Sequence, residues 1–176
     1  KFKHVLVVNV ILNKLQFSKN HWIYLVNEKF YFNRLSEQKN FSKLCTPEDK
    51  TLIMLEVILD YKDEEWKWEG EQWRAKVEKE LGFLGVKSEE IEDIWVTRME
   101  KAYPIFLVGY EEDKEKVLND FSKFKNIIST GRYGLFLDVN MHDAMVLGVE
   151  GFRYLTENRL DEFYKNHKII CSRKKN

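Results

Sequence analysis

Residues 5–12 are almost continuously Val, Leu and Ile, a pattern that predicts a strand covered on both faces. Shorter apolar runs at 22–26 and 30–34 predict two more strands, with a turn at Lys19-Asn20. The three read as an antiparallel meander. Residues 36–50 are polar, include Pro47 and read as a loop. Aliphatic and β-branched residues return at 51–59 as a fourth strand. A charged stretch at 62–71, carrying Trp66 and Trp68, leads into a helix. There Trp73, Val77 and Leu81 share a face, Lys76 is spaced to pair with Glu80, and Gly82 or Gly85 ends the helix. After a short charged approach at 88–93, residues 94–99 read as a strand, and Tyr103 before Pro104 is extended. Residues 111–124 predict a helix with Val117, Leu118 and Phe121 inward, and Ile127-Ile128 a short strand.

The most informative stretch follows. Gly131-Arg132-Tyr133-Gly134-Leu135-Phe136 reads as a glycine turn and a short strand. Asn140 then caps a helix, with Asp143 three residues on to complete the cap. Met141, Ala144, Met145, Gly148, Gly151, Phe152 and Leu155 recur at helical spacing and predict its inward stripe. A helix N-terminus behind a glycine turn offers amide donors and the positive end of a dipole, which suits phosphate or another electron-rich group. The same spacing also fits a plain turn–strand–helix.

The order GRYGLF, NMHDA and a following glycine resembles the C-terminal flavin-contacting segment of the FAD-dependent amine oxidase and protoporphyrinogen oxidase-like superfamily, which includes the UDP-galactopyranose mutase-like proteins. Residues 21–42, 51–60 and 102–113 resemble that group's substrate-domain strands and return crossing, so the likeness spans residues 5–155. It implies that Gly131, Arg132, Gly134, Phe136, Asn140 and Met141 contact FAD. Val139 and His142 depart from the group's usual aromatic and acid. The group's G-x-G-x-x-G pyrophosphate turn does not occur here, and the chain starts at Lys1 without a Met. The expectation is therefore a C-terminal fragment that lacks an N-terminal Rossmann-type FAD domain of the same protein. Such a fragment would carry no FAD and no activity by itself, and would self-associate through exposed apolar surface.

The resulting expectation is an α+β fold. Residues 1–100 would be a substrate-binding region with a mostly antiparallel sheet and flanking helices, and 101–125 a return crossing and helix. Residues 126–160 would be the strand–turn–helix piece of the FAD-binding domain, and 161–176 a tail.

Composition narrows the choice of partners. The 176 residues are 44% hydrophobic and 14% aromatic, enough for a packed domain rather than a disordered chain. With 29 basic and 29 acidic residues there is no basic excess, so nucleic acid and anionic membrane are not the expected partners. The tail Arg173-Lys174-Lys175 reads as a solvated end. No apolar run reaches the roughly 18 residues a membrane span requires. Two distant thiols, Cys45 and Cys171, fit a reduced, cytoplasmic protein, with a single bridge left open. His4, His21, His142 and His167 are scattered, neither Cys lies in C-x-x-C, and no metal site or nucleophile elbow is expected. His142 reads as an exposed first-turn residue.

Glu56 interrupts the apolar face of Leu52, Met54 and Ile58 and calls for a partner, with Arg34 and Arg98 as candidates. Those three are the weak substrate-contact positions; Trp22, Tyr24 and Tyr31 either line a substrate face or fill the core. Three functions stay open. One is part of a FAD-dependent oxidoreductase acting on a small-molecule substrate. Another is a UDP-galactopyranose mutase-like enzyme, for which an arginine pair gripping a diphosphate would speak. The third is a non-catalytic α+β binding module.

Overall fold

A computed structural model describes the backbone of residues 1–172 and the side chains of 1–167; the basic tail and the Cys171 thiol lie outside the described residues. The architecture is α+β. The chain divides into two compact units, Lys1–Tyr103 and Pro104–Asn176.

The first unit is built on five strands: β1 (Phe2–Leu12), β2 (Trp22–Tyr24), β3 (Arg34–Glu37), β4 (Thr51–Leu59) and β5 (Ile91–Pro104). Their order across the sheet is β2-β3-β4-β1-β5. The expected meander is therefore absent. β1 leaves its sequence neighbours and pairs antiparallel with β4, from His4 opposite Leu59 to Leu12 opposite Thr51. Its own composition explains this: Val5, Leu6, Val7, Val8 and Val10 are all buried, which only an interior strand allows.

Two buried carboxylates set where the other strands start and stop. Glu80 accepts from the amides of Tyr31 (2.8 Å) and Phe32 (3.2 Å), so those two amides are not available to a ladder, and β3 starts later than the pattern predicts. Glu37, fully buried, accepts from the amides of Phe17 and Ser18 and from Thr51 Oγ1, each at 2.7 Å. These bonds draw Leu35, Ser36 and Glu37 into the sheet, although 36–50 read as loop. The rest of that loop holds two short 3-10 turns, tied by Lys39 Nζ donating to the carbonyls of Pro47, Glu48 and Lys50.

Helix α1 (Gly70–Gly82) covers the sheet with Trp73, Val77 and Leu81, all fully buried. Lys76 does not pair with Glu80, which the Tyr31 and Phe32 amides already engage; it pairs with Glu65 at 3.1 Å. Gly70 lies directly against β5: a Cβ there would overlap the Ile94 carbonyl oxygen.

The second unit contains α2 (Tyr110–Phe121), the single turn α3 (Gly131–Gly134), α4 (Met141–Thr156) and α5 (Leu160–Ser172). Leu118, Leu135, Leu147, Tyr154, Leu160, Phe163 and Tyr164 form its core. No strand forms at Ile127-Ile128 or after Gly134, and α5 occupies residues where the pattern suggested only a tail. Val117 is exposed, leaving Leu118 as the buried anchor of α2. The inward stripe of α4 is also displaced: Asp143, Leu147, Gly151 and Tyr154 are buried, whereas Met141, Met145 and Phe152 face outward. Gly151 fixes this choice, because a Cβ there would press on Ile128 at 2.7 Å, so only this face can approach closely. No helix among the described residues is long and apolar enough to cross a membrane.

Gly70→Ala should lower the stability of the first unit by about 1–3 kcal/mol, because the Ile94 carbonyl would have to move. Gly82→Ala, with nothing within 4 Å of the new methyl, should instead be neutral or stabilising by up to about 1 kcal/mol. Urea unfolding followed by tryptophan emission measures both.

Candidate functional site

The Gly131–Met141 segment is held in place by side chain-to-backbone bonds rather than by a sheet. Ser129 N donates to the Tyr164 hydroxyl at 2.8 Å, and Thr130 Oγ1 donates to the Leu147 carbonyl at 3.1 Å. Burial raises the Tyr164 hydroxyl pKa above its ordinary value, against the opposing effect of the Ser129 amide. Gly131 takes φ 77°, and the space where its Cβ would stand is open. Gly134 is the opposite case: its backbone abuts Ser129, whose hydroxyl donates to the Gly134 carbonyl at 2.8 Å. Arg132 closes the loop by donating from Nε and Nη2 to the Val139 carbonyl, at 2.9 and 2.6 Å. Its charge also lies 3.5 Å from Asp138.

Phe136 follows with φ 47°, a left-handed shape uncommon for an aromatic residue, and packs against Phe106 and Tyr110 at 5.3 and 5.7 Å. Burial first, then Glu111, raises the Tyr110 pKa. Asn140 stands at the N-cap of α4 as the spacing predicts, and its own amide donates to Asp143 at 3.2 Å. The cap leaves the Met141 and His142 amides without a hydrogen bond among the described residues, at the positive end of a 16-residue helix. Met141 itself is 81% exposed. His142 is exposed and lies 3.5 Å from Asp143. These residues fit an electron-rich ligand: an open glycine backbone, two outward donors, and a loop whose shape is already fixed.

In the first unit Glu56 finds its partner. Arg34 Nε and Nη2 donate to its two oxygens at 2.9 and 2.7 Å. Burial opposes the Arg34 charge, but Glu56 outweighs it and raises the pKa above the ordinary guanidinium value. Tyr24, exposed like Trp22, lies 5.9 Å from the Arg34 guanidinium. Arg98 is used differently: it donates to the carbonyls of Trp66 and Trp68, both at 2.7 Å, and pairs with Glu69 at 3.1 Å. Arg34 stands opposite Glu56, and Glu56 opposite Val7, so all three share a face with Asn9. Asn9 donates to Thr97 Oγ1, which puts Thr97 on that face and Arg98 on the other. The two arginines do not come together.

Tyr31 joins a cluster that the sequence pattern does not reveal. Lys76 Nζ lies 3.5 Å from its ring centre and 5.1 and 5.8 Å from those of Trp68 and Trp73. Burial, and next the Glu65 carboxylate, push the Tyr31 hydroxyl up to about 12. Its only sequence signal is the aromatic density around a lysine on the helix. Among the described residues, no three His, Cys, Asp or Glu side chains gather as a metal site, and Cys45 is a free, exposed thiol.

No family model matches the chain. No curated protein matches it. Among solved structures it is similar to a reduced UDP-galactopyranose mutase, with a TM-score of 0.75 at 20% identity over 97% of this chain and 38% of that one. It is also similar to a protoporphyrinogen oxidase-like protein from Exiguobacterium sp. 255-15, with a TM-score of 0.56 at 13% identity over 70% of this chain and 28% of that one. Both belong to the superfamily that the glycine segment resembles. At these identities the likeness shows the fold, and the chain spans less than two-fifths of either structure's length.

Gly134→Ala should cost about 1–3 kcal/mol by forcing Ser129 aside. Gly131→Ala meets no atom, and its cost, about 1 kcal/mol, is backbone strain alone. Loss of helical circular dichroism on heating would rank the two. A second expectation concerns pH. Unfolded tyrosine releases its proton near 10, whereas Tyr31 holds it to about 12, so in that interval the unfolded state binds fewer protons and stability falls as pH rises. Tyr31→Phe should flatten that fall, as measured by denaturation at a series of alkaline pH values.

Proposed function

We propose that this chain is the substrate-domain and flavin-edge portion of a cytoplasmic FAD-dependent oxidoreductase acting on a small organic molecule. An N-terminal Rossmann-type FAD domain of the same polypeptide would complete the cofactor site. The observation that carries the reading is the Gly131–Met141 segment: an open glycine, a pinned loop and a capped helix with two outward amides. The fold likeness over 97% of the chain to a flavoenzyme-superfamily structure supports it.

FAD, when bound, supplies two-electron acceptance. The chain's own residues bind and orient. At Gly131 the space a side chain would fill is open, which leaves the backbone there accessible to a ligand. The Met141 and His142 amides donate toward electron-rich atoms, and the helix dipole favours negative charge there. Arg132, bonded to Val139 O, keeps the loop from collapsing onto those donors. On the sheet, Trp22, Tyr24 and the Arg34–Glu56 pair offer an aromatic and polar face for a substrate.

A UDP-galactopyranose mutase-like activity is the second reading, favoured by the extent of the fold match. Arg34 and Arg98 do not supply its paired-arginine grip, since they lie on opposite faces. Turnover of UDP-galactopyranose by the reduced full-length protein decides between the two. A binding module that holds no flavin is the remaining alternative.

The full-length gene product should purify with a bound-flavin visible spectrum that is released on denaturation. Gly131→Leu should cut flavin occupancy to well below half while leaving the far-ultraviolet circular dichroism unchanged. A colourless protein that cannot be reconstituted with FAD would overturn the proposal in favour of the binding module.

A further inference from the structure

The single turn α3 ends in a way its sequence does not favour. Leu137 N donates to the Arg132 carbonyl at 2.9 Å and Phe136 N to the Tyr133 carbonyl at 3.2 Å, the bond pair of a Schellman ending. The residue that closes such an ending is left-handed and is usually glycine. Here it is Phe136, at φ 47°. A bulky residue keeps that shape only where its surroundings impose it. The surroundings are aromatic. The Phe106 and Tyr110 ring centres lie 5.3 and 5.7 Å from that of Phe136 and 5.0 Å from each other, so each ring packs on the other two. The Phe106–Tyr110 pair is itself preset. Gly109, at φ 81°, permits a turn in which Tyr110 N donates to the Leu107 carbonyl at 3.1 Å, and Phe106 folds back onto Tyr110.

We infer that Phe106, Tyr110 and Phe136 form a clamp that sets the path of the glycine segment, and that Phe136 thereby positions FAD without touching it. The inference rests on the reading of this segment as the flavin edge. The left-handed turn at Phe136 decides the direction in which residues 137–140 leave α3. The path is fixed a second time at Val139, whose carbonyl accepts from Arg132. Only Leu137 and Asp138 lie between the two fixed points, and Asn140, the N-cap of α4, follows directly. The shape of the whole outward stretch therefore depends on three rings packed together at its start. Without them Phe136 would relax to an ordinary backbone shape, and the Leu137–Arg132 bond would open. The Phe136 ring is turned to α2 and its approach, which makes its backbone, not its ring, the part that serves a cofactor.

Substitutions that separate backbone from ring test this, first in the 176-residue chain and then in the full-length protein. Phe136→Ala keeps the unfavourable shape and loses the clamp, whereas Phe136→Gly takes the shape freely. In the chain, amide hydrogen exchange read by NMR should show the protection of the Leu137 and Ala144 amides falling about tenfold in Phe136→Ala and in Phe106→Ala. Phe136→Gly and the conservative Phe106→Tyr should change it by less than about threefold, with far-ultraviolet circular dichroism the same throughout. In the full-length protein the FAD dissociation constant should follow the same order. Equal losses of FAD binding in Phe136→Ala and Phe136→Gly would overturn the inference, because the ring itself would then be the contact. Unchanged protection in Phe106→Ala would overturn it as well, and so would unchanged FAD binding in Phe136→Ala. A full-length protein that takes up no FAD, with the exchange order as expected, would overturn the flavin reading and the role drawn from it while confirming the clamp.

Discussion

The antiparallel ladder between β1 and β4 is the constraint on which the first unit depends. It joins residues 2–12 to residues 51–59 and closes everything between into one long excursion. Both strands bury alternate or continuous aliphatic side chains, and a slip of one residue would turn Ile53, Leu55 and Val57 outward. The excursion therefore has to fit a fixed frame. It does so through charge as well as apolar packing: Leu25, Phe32 and Leu35 join the core, and Glu37 and Glu80 each accept amides from segments outside the strands. Removing either carboxylate would leave two amides in partly or fully buried positions without acceptors, a cost that grows as water is excluded.

The second unit solves a different problem. It has no sheet to satisfy the backbone of residues 122–140, so side chains do it: Tyr164 serves Ser129, Ser129 serves Gly134, and Arg132 serves Val139. The first tie runs to α5, and the other two close the segment on itself. The glycine segment is accordingly tied where it meets the core and open at Gly131.

Much of this was legible in the sequence because it rests on composition. The continuous aliphatic run of β1, the alternation of β4, the Trp73–Val77–Leu81 face of α1 and the Asn140–Asp143 cap all follow from local rules. The Arg34–Glu56 pair followed from the expense of an unpaired carboxylate. What could not be read was decided by partners distant in sequence. The Tyr31 and Phe32 amides are taken by Glu80, nearly fifty residues away. The meander failed because nothing local tells β1 that β4 will be its neighbour. On α4 two apolar stripes competed for the core, and only the fit of Gly151 against Ile128 and Phe163 decided between them. Arg98 had as much formal claim on Glu56 as Arg34, until strand parity put it on the far face.

All five tryptophans, Trp22, Trp66, Trp68, Trp73 and Trp95, lie in the first unit. Trp73 is fully buried, and its indole N–H has no acceptor among the described residues. Shielded from water in this way, its indole should emit to the blue of the exposed Trp22. The tryptophan emission of this protein thus reads the first unit and is blind to the glycine segment. Composition alone therefore labels one unit, whose melting can be followed without any tryptophan signal from the other.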